Sequence, residues 1–150
     1  MVDLSALAAS VGEAFAPSIE AAGDHFVAEV APGVSVRGDG ELLANLLANL
    51  LDNALRHTSA GSTIRLALAI QGGEGAGRAA LSVADDGPGV PADERARIFD
   101  RFYRAEHSRT TPGSGLGLAM VAAIAELHEA TLTAEDAGPG LRVRLVFPLA

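Results

Sequence analysis

The chain has 150 residues, nearly half of them hydrophobic, which suffices for one domain with its own core and is too apolar for a disordered segment. Its net charge of −8 argues against general binding to nucleic acid or to an anionic membrane surface. It has no cysteine, which excludes disulfides, thiolate metal sites and cysteine nucleophiles.

The N-terminus lacks a basic region followed by an apolar core, so no signal peptide is expected. Apolar residues Leu4, Leu7, Ala8, Val11, Phe15, Ile19 and Ala22 recur at helical spacing, and they predict a helix over 4–22 with a kink or break at Pro17. Gly23-Asp24 stops it. Residues 25–30 alternate as a strand, and Pro32-Gly33 turns the chain into a short strand at 34–36. Asp39 suits the N-cap of a leucine-rich helix running to about His57. Residues 63–70 and 79–84 predict two strands joined by a glycine-rich hairpin loop at 71–77. A short helix follows Pro91, a residue suited to a first helical turn.

Residues 95–112 are arginine-rich, interleaved with Phe99, Phe102 and Tyr103, and have no clean period. A long irregular stretch in a compact domain is more often a functional lid than filler. Phe99 and Phe102 are expected to anchor that lid to the body. A helix over 116–128 and a closing hairpin of 131–134 and 141–147 complete the chain. No apolar run reaches membrane-spanning length, so no direct membrane insertion is expected. No repeat and no linker divides residues 1–150, which read as a single α+β domain. Its expected form is a two-layer α/β sandwich, with a mixed, mostly antiparallel sheet covered on one face by about three helices.

Asn45, Asn49 and Asn53 form a stripe on one face of the leucine-rich helix. Burying an amide without partners is costly, so the stripe needs a reason. Magnesium takes oxygen ligands, keeps several waters and completes its shell with phosphates. A neutral amide oxygen suits such a site, because the nucleotide already supplies the negative charge. Arg56 and His57, one turn further, can reach phosphates or a ribose. The same amides can instead cap or bridge neighbouring backbone, and Asn45 is assigned to that role.

In Asp85-x-Gly87-x-Gly89 the glycines permit close backbone approach to a ligand. A carboxylate at a strand end can accept a hydrogen bond from an amino group such as the exocyclic amine of adenine. An ordinary turn closing the strand is the alternative, and Asp86 belongs to that turn. Gly113-x-Gly115-x-Gly117 leads into a helix, where backbone N–H groups and the positive dipole end suit an anion. A flexible hinge is the alternative. The spacing is neither the dinucleotide fingerprint nor a Walker loop. Arg95, Arg97, Arg101, Arg104 and Arg109 offer guanidinium groups to phosphate, or simply a solvated basic stretch.

Taken in order, these motifs resemble the ATP-binding catalytic domain of sensor histidine kinases, in the superfamily that includes DNA gyrase, the MutL repair proteins and a class of chaperones. NLLDNALRHT at 49–58 is similar to that family's asparagine box, and DDGPGVP at 85–91 to its first glycine box. RIFDRFYRA at 97–105 is similar to the phenylalanine box, and GSGLGLAMV at 113–121 to the second glycine box. VDLSAL near the start and RGD at 37–39 resemble the usual lead-in. The resemblance implies a Bergerat-type sandwich with a mobile ATP lid, and ATP and Mg2+ as cofactors.

By matching position, Asn53 is implied as the magnesium ligand and Asn49 as facing the phosphates, with Asn49 and Arg56 as the catalytic pair. Asp85 is implied to hold the adenine amino group, with Gly87, Gly89 and Val90 lining the base pocket. His57 is implied at the ribose or phosphate, and Arg101 or Arg104 at phosphate from the lid. Gly113, Ser114, Gly115, Leu116, Gly117 and Leu118 are implied at the lid hinge and the phosphates. The chain departs from the family at His57, where tyrosine is common, and at Glu129 and Ala130, where glycines are usual. The final hairpin lacks the usual threonine after its glycine.

Gyrase-type ATPases and related serine kinases place a glutamate where this chain has Asn49. A carboxylate there can take a proton from water or a serine hydroxyl, and an amide cannot. A neutral histidine is already nucleophilic, so Asn49 favours phosphoryl transfer to histidine, in which catalysis is mostly positioning and electrostatic stabilisation. The histidines are His25, His57, His107 and His128. His107 sits in a segment superficially similar to the family's acceptor motif, but its spacing differs and its acidic neighbour precedes it, so the likeness is read as coincidence. The acceptor is therefore expected on a separate dimerisation domain of a homodimeric parent, with a response regulator downstream and this piece an excised, cytoplasmic fragment. A membrane anchor elsewhere in the parent is compatible with this expectation. Two alternatives are a stand-alone nucleotide-binding regulatory module and a gyrase-type ATPase.

Overall fold

A computed structural model describes residues 1–72, 77–95, 97–100 and 117–150. The chain opens with a two-residue strand, β1 (Val2–Asp3), and runs directly into α1 (Leu4–Ala21). Asp3 caps α1, accepting from the Ala6 N–H at 3.0 Å. The helix buries Leu4, Ala8, Gly12 and Ile19. It is not broken at Pro17. Pro17 and Glu13, whose carbonyl loses its donor there, are both on the exposed face, so water can replace the missing bond.

The next elements are β2 (His25–Val30), β3 (Ser35–Val36) and α2 (Gly40–Arg56). Asp39 caps α2 as expected, its Oδ1 accepting from Glu41 N–H at 2.9 Å and Leu42 N–H at 3.2 Å. The leucine spacing then buries Leu43, Leu46, Leu47, Leu50, Leu51 and Ala54, while Asn45 is exposed and Asn49 and Asn53 stand half-buried along the flank. β4 (Thr63–Gln71) and β5 (Arg78–Asp85) form the first hairpin; α3 (Ala92–Arg95) is a single turn after Pro91. After α4 (Gly117–Leu127), β6 (Thr131–Asp136) and β7 (Leu141–Pro148) close the fold.

Among the described residues the main sheet has the order β2-β4-β5-β7-β6. Only β2 and β4 pair in parallel; the other three pairs are antiparallel. Alternation sends Ile64, Leu66 and Leu68 of β4, and Leu141, Val143, Leu145 and Phe147 of β7, into the core beneath α1, α2 and α4. In β5 the same period buries Ala79, Leu81 and Val83, and its next step delivers Asp85 to that inner face. Phe99 packs against the core as expected of an anchor, whereas Phe102 lies outside the described residues.

Helices α1 and α4 end in the same stop. After α1, Gly23 N–H donates to Glu20 O at 3.0 Å and Asp24 N–H to Ile19 O at 3.1 Å, with Gly23 at φ +86°. After α4, Glu129 N–H donates to Glu126 O at 3.1 Å and Ala130 N–H to Ala125 O at 2.9 Å, with Glu129 at φ +56°. The left-handed position that carries glycine in one stop carries glutamate in the other. Relief of that backbone cost predicts that Glu129→Gly stabilises the fold by about 1 kcal/mol. Thermal melting should rise by about 2–4 °C; an unchanged or lower midpoint would contradict the strain. Just before it, buried His128 pins α4 to the cap of α2: its Nδ1 lies 2.7 Å from Ile124 O and its Nε2 accepts from Asp39 N–H at 3.1 Å.

Candidate functional site

Asp85 is the centre of the site. It is 8 % exposed, and burial pushes its carboxyl above the ordinary aspartate range, against the lowering effect of its hydrogen bonds. Oδ1 accepts from Gly87 N–H at 3.0 Å and from Leu141 N–H at 3.5 Å. Oδ2 has no donor among the described residues, so one oxygen is held by backbone and the other is open.

The wall around this carboxyl is backbone. A Cβ on Gly87 would stand 2.9 Å from the His57 carbonyl oxygen and 3.1 Å from Asp85 Oδ1. A Cβ on Gly140 would overlap the Asp85 carbonyl, and Gly140 also has φ +101°. Gly89 in turn faces the Gly140 carbonyl, 3.1 Å from its own Cβ position. The 85–89 turn is thus pressed between the end of α2 and the β6–β7 hairpin. Val90 packs half-buried on the core beside it. Asp86 belongs to the turn, as expected, where its Oδ1 accepts from Thr63 N–H at 2.8 Å.

The second part of the site lies on the flank of α2. Asn49 Nδ2 donates to Asn45 O at 2.9 Å and lies 3.7 Å from Met120 Sδ, while Asn49 Oδ1 is 3.3 Å from the Cβ position of Gly117 at the start of α4. One half of this amide bridges backbone, and the other half looks at the helix start where the glycine motif ends. The Asn53 amide has no hydrogen-bond partner among the described residues, which suits a metal ligand. Leu118 packs on the core. Arg56 Nε is paired with Asp52 at 2.9 Å; both side chains are over two-fifths exposed, so the pair adds little stability. His57 is the C-cap of α2, and its carbonyl is the part that meets the 85–89 turn.

The structure therefore brings Asp85, Gly87, Gly89 and His57 together, and separately Asn49 with Gly117. Arg101, Arg104, Gly113, Ser114, Gly115 and Leu116 lie outside the described residues. Sequence reasoning missed Gly140 and the Leu141 N–H as parts of the Asp85 site. The available signal was the Gly-Pro-Gly turn at 138–140, read only as a hairpin.

A family model described as "Histidine kinase-, DNA gyrase B-, and HSP90-like ATPase" matches residues 38–150. A signal transduction histidine-protein kinase/phosphatase, MprB of Mycobacterium bovis, is 41 % identical over 116 residues, covering 77 % of this chain and 22 % of that protein. MprB of Mycolicibacterium vanbaalenii is 43 % identical over 105 residues, covering 70 % of the chain and 21 % of the relative. The chain thus spans about a fifth of the length of the curated relatives it matches. A solved structure of the mycobacterial sensor histidine kinase MprB superposes with a TM-score of 0.88 at 31 % identity, covering 99 % of this chain and 97 % of that one. Full-length ShkA in complex with AMPPNP gives 0.82 at 30 % identity, covering 99 % and 30 % respectively.

Proposed function

The chain belongs to the family of histidine kinase-, DNA gyrase B- and HSP90-like ATPases, and we propose on that premise that it is the ATP-binding catalytic domain of a two-component sensor kinase. In this reading residues 1–150 bind Mg-ATP and pass its γ-phosphoryl group to a histidine on a separate dimerisation domain of the parent. The bond from phosphorus to the β,γ-bridging oxygen breaks, a phosphorus–nitrogen bond forms, and ADP leaves. The observation that carries the reading is the buried Asp85, with one oxygen fixed by backbone donors and the other open.

Asp85 accepts the adenine amino group, and the 85–89 turn lies along the base. Asn49 presents Oδ1 toward the phosphate end and, being an amide, activates no water; this supports transfer to histidine over hydrolysis. Asn53 is the residue that fits magnesium, which when bound neutralises phosphate charge. Arg56 exchanges Asp52 for phosphate, and Arg101, Arg104, Gly113, Ser114, Gly115 and Leu116 are further residues assigned to the phosphates. Among the described residues no helix is long and apolar enough to cross a membrane. The domain works on the cytoplasmic side, where ATP is, and hands phosphate onward to a response regulator through the dimerisation domain.

Calorimetric titration with ATP and GTP tests the base contact. Guanine presents a carbonyl where adenine presents its amine, and a carboxylate facing it is left unpaired. GTP is expected to bind at least about 100-fold more weakly than ATP. Equal affinities would remove Asp85 from the base pocket.

A further inference from the structure

We propose that Asp24 is a positioning residue for the nucleotide site, holding the 57–62 loop against the 85–89 turn; this rests on the nucleotide reading of that turn. Asp24 lies in the stop of α1 and is 5 % exposed. A carboxyl so buried needs partners. Its Oδ2 accepts from the Thr58 hydroxyl at 3.2 Å, and its Oδ1 accepts from Ser62 N–H at 3.2 Å. Backbone bonds reinforce the grip on both sides. Gly61 N–H donates to Gly23 O at 2.9 Å, and His25 N–H donates to Ser62 O at 2.8 Å.

The other side of the same loop touches the site. The His57 carbonyl and the Thr58 methyl stand 2.9 and 3.6 Å from the Cβ position of Gly87. Asp86 Oδ1 ties down the next residue through Thr63 N–H at 2.8 Å. The loop is therefore a wedge between Asp24 and the turn. Gly87 N–H is one of the two donors that orient Asp85 Oδ1, so a loop that shifts takes that donor with it. Asp24 makes no hydrogen bond to the turn, and acts on it through Thr58 and Ser62.

Two substitutions separate positioning from simple structural support. Asp24→Asn keeps the clamp: its carbonyl accepts from Ser62 N–H, and its amide donates to Thr58 Oγ1. The Thr58 hydroxyl proton then turns to Leu55 O, which is already 3.4 Å away. Thr58→Val keeps the shape and removes the hydroxyl. AMPPNP affinity and nucleotide-free melting are measured for wild type, Asp24→Asn, Asp24→Ala, Thr58→Val and the Asp24→Ala/Thr58→Val double variant. Asp24→Ala and Thr58→Val are each expected to weaken AMPPNP binding by about tenfold, and Asp24→Asn by no more than about twofold. The double variant is expected to bind no worse than Asp24→Ala alone, because both changes cut one linkage.

A folded Asp24→Ala protein that melts earlier but binds like wild type would overturn the proposal and leave Asp24 as structural support. Thr58→Val at wild-type affinity, or fully additive losses, would overturn it too. If Asp24→Ala does not fold, Thr58→Val and Asp24→Asn decide by the same criteria. Wild-type chain that binds no AMPPNP would overturn the nucleotide reading itself, and the clamp with it.

Discussion

Asp85→Asn is expected to weaken ATP binding by about 100-fold while leaving the free domain at least as stable as the wild type. Oδ1 faces two backbone donors, Gly87 N–H and Leu141 N–H, and Oδ2, which has no donor among the described residues, is the oxygen proposed to accept from the adenine amine. A carboxylate accepts on both sides. An amide accepts on one side only, so either orientation sets an NH2 group against an N–H donor. The free domain escapes this conflict by turning its carbonyl to the two backbone donors, which is why stability and affinity part company.

The sign of the pH effect follows from the raised pKa of Asp85, whose largest cause is burial. A carboxyl with a folded pKa above its unfolded value contributes stability at low pH and loses it as pH rises through the folded value. Wild type therefore carries a cost at neutral pH that the asparagine variant lacks, and the variant should melt at the same temperature or higher. Binding runs the other way. The ionised form is the better acceptor, so ATP affinity falls as pH drops through the raised pKa, sooner than for an ordinary aspartate. Calorimetry across that range checks both signs. Unchanged affinity in Asp85→Asn, or an affinity flat with pH down to the ordinary aspartate range, would contradict the assignment.

Asn53→Ala is expected to abolish the gain in nucleotide affinity that magnesium gives the wild type, and to slow phosphoryl transfer by about 100-fold. The Asn53 amide has no partner among the described residues, so its removal costs the free fold little. Asn49 is a different case, since its Nδ2 already serves Asn45 O. Titrating nucleotide with and without magnesium distinguishes the two. If metal dependence survives intact in Asn53→Ala, magnesium is held elsewhere.

Local features were legible from sequence. The Asp39 cap, the leucine face of α2 and the strand that ends at Asp85 are short-range patterns. Asn45 is exposed and offers its backbone carbonyl to Asn49, while its own side-chain amide makes no hydrogen bond among the described residues, so the capping role expected of that amide is not seen. For Asn49 the backbone-bridging reading holds for the amide nitrogen, while the oxygen, which faces Gly117, is the atom on which the proposed phosphate role rests.

The long-range contacts were not legible. Leu141 meets Asp85 across 56 residues, and Thr58 meets Asp24 across 34. Neither contact leaves a period or a motif, because the strand order that creates them is a property of the whole sheet. The parallel pairing of β2 with β4 is of the same kind. Pro17 did not break α1: a rule about one missing hydrogen bond is weak where water can supply the replacement.

Transfer of the γ-phosphoryl group to a histidine outside this chain can be followed in one mixing experiment. The chain is incubated with γ-labelled ATP and magnesium, with and without the parent's dimerisation domain, and label is followed on both polypeptides and in free phosphate. Label is expected on a histidine of the dimerisation domain, dependent on this chain, with none on His25, His57, His107 or His128. Label on His107, or steady phosphate release with both polypeptides unlabelled, would contradict it.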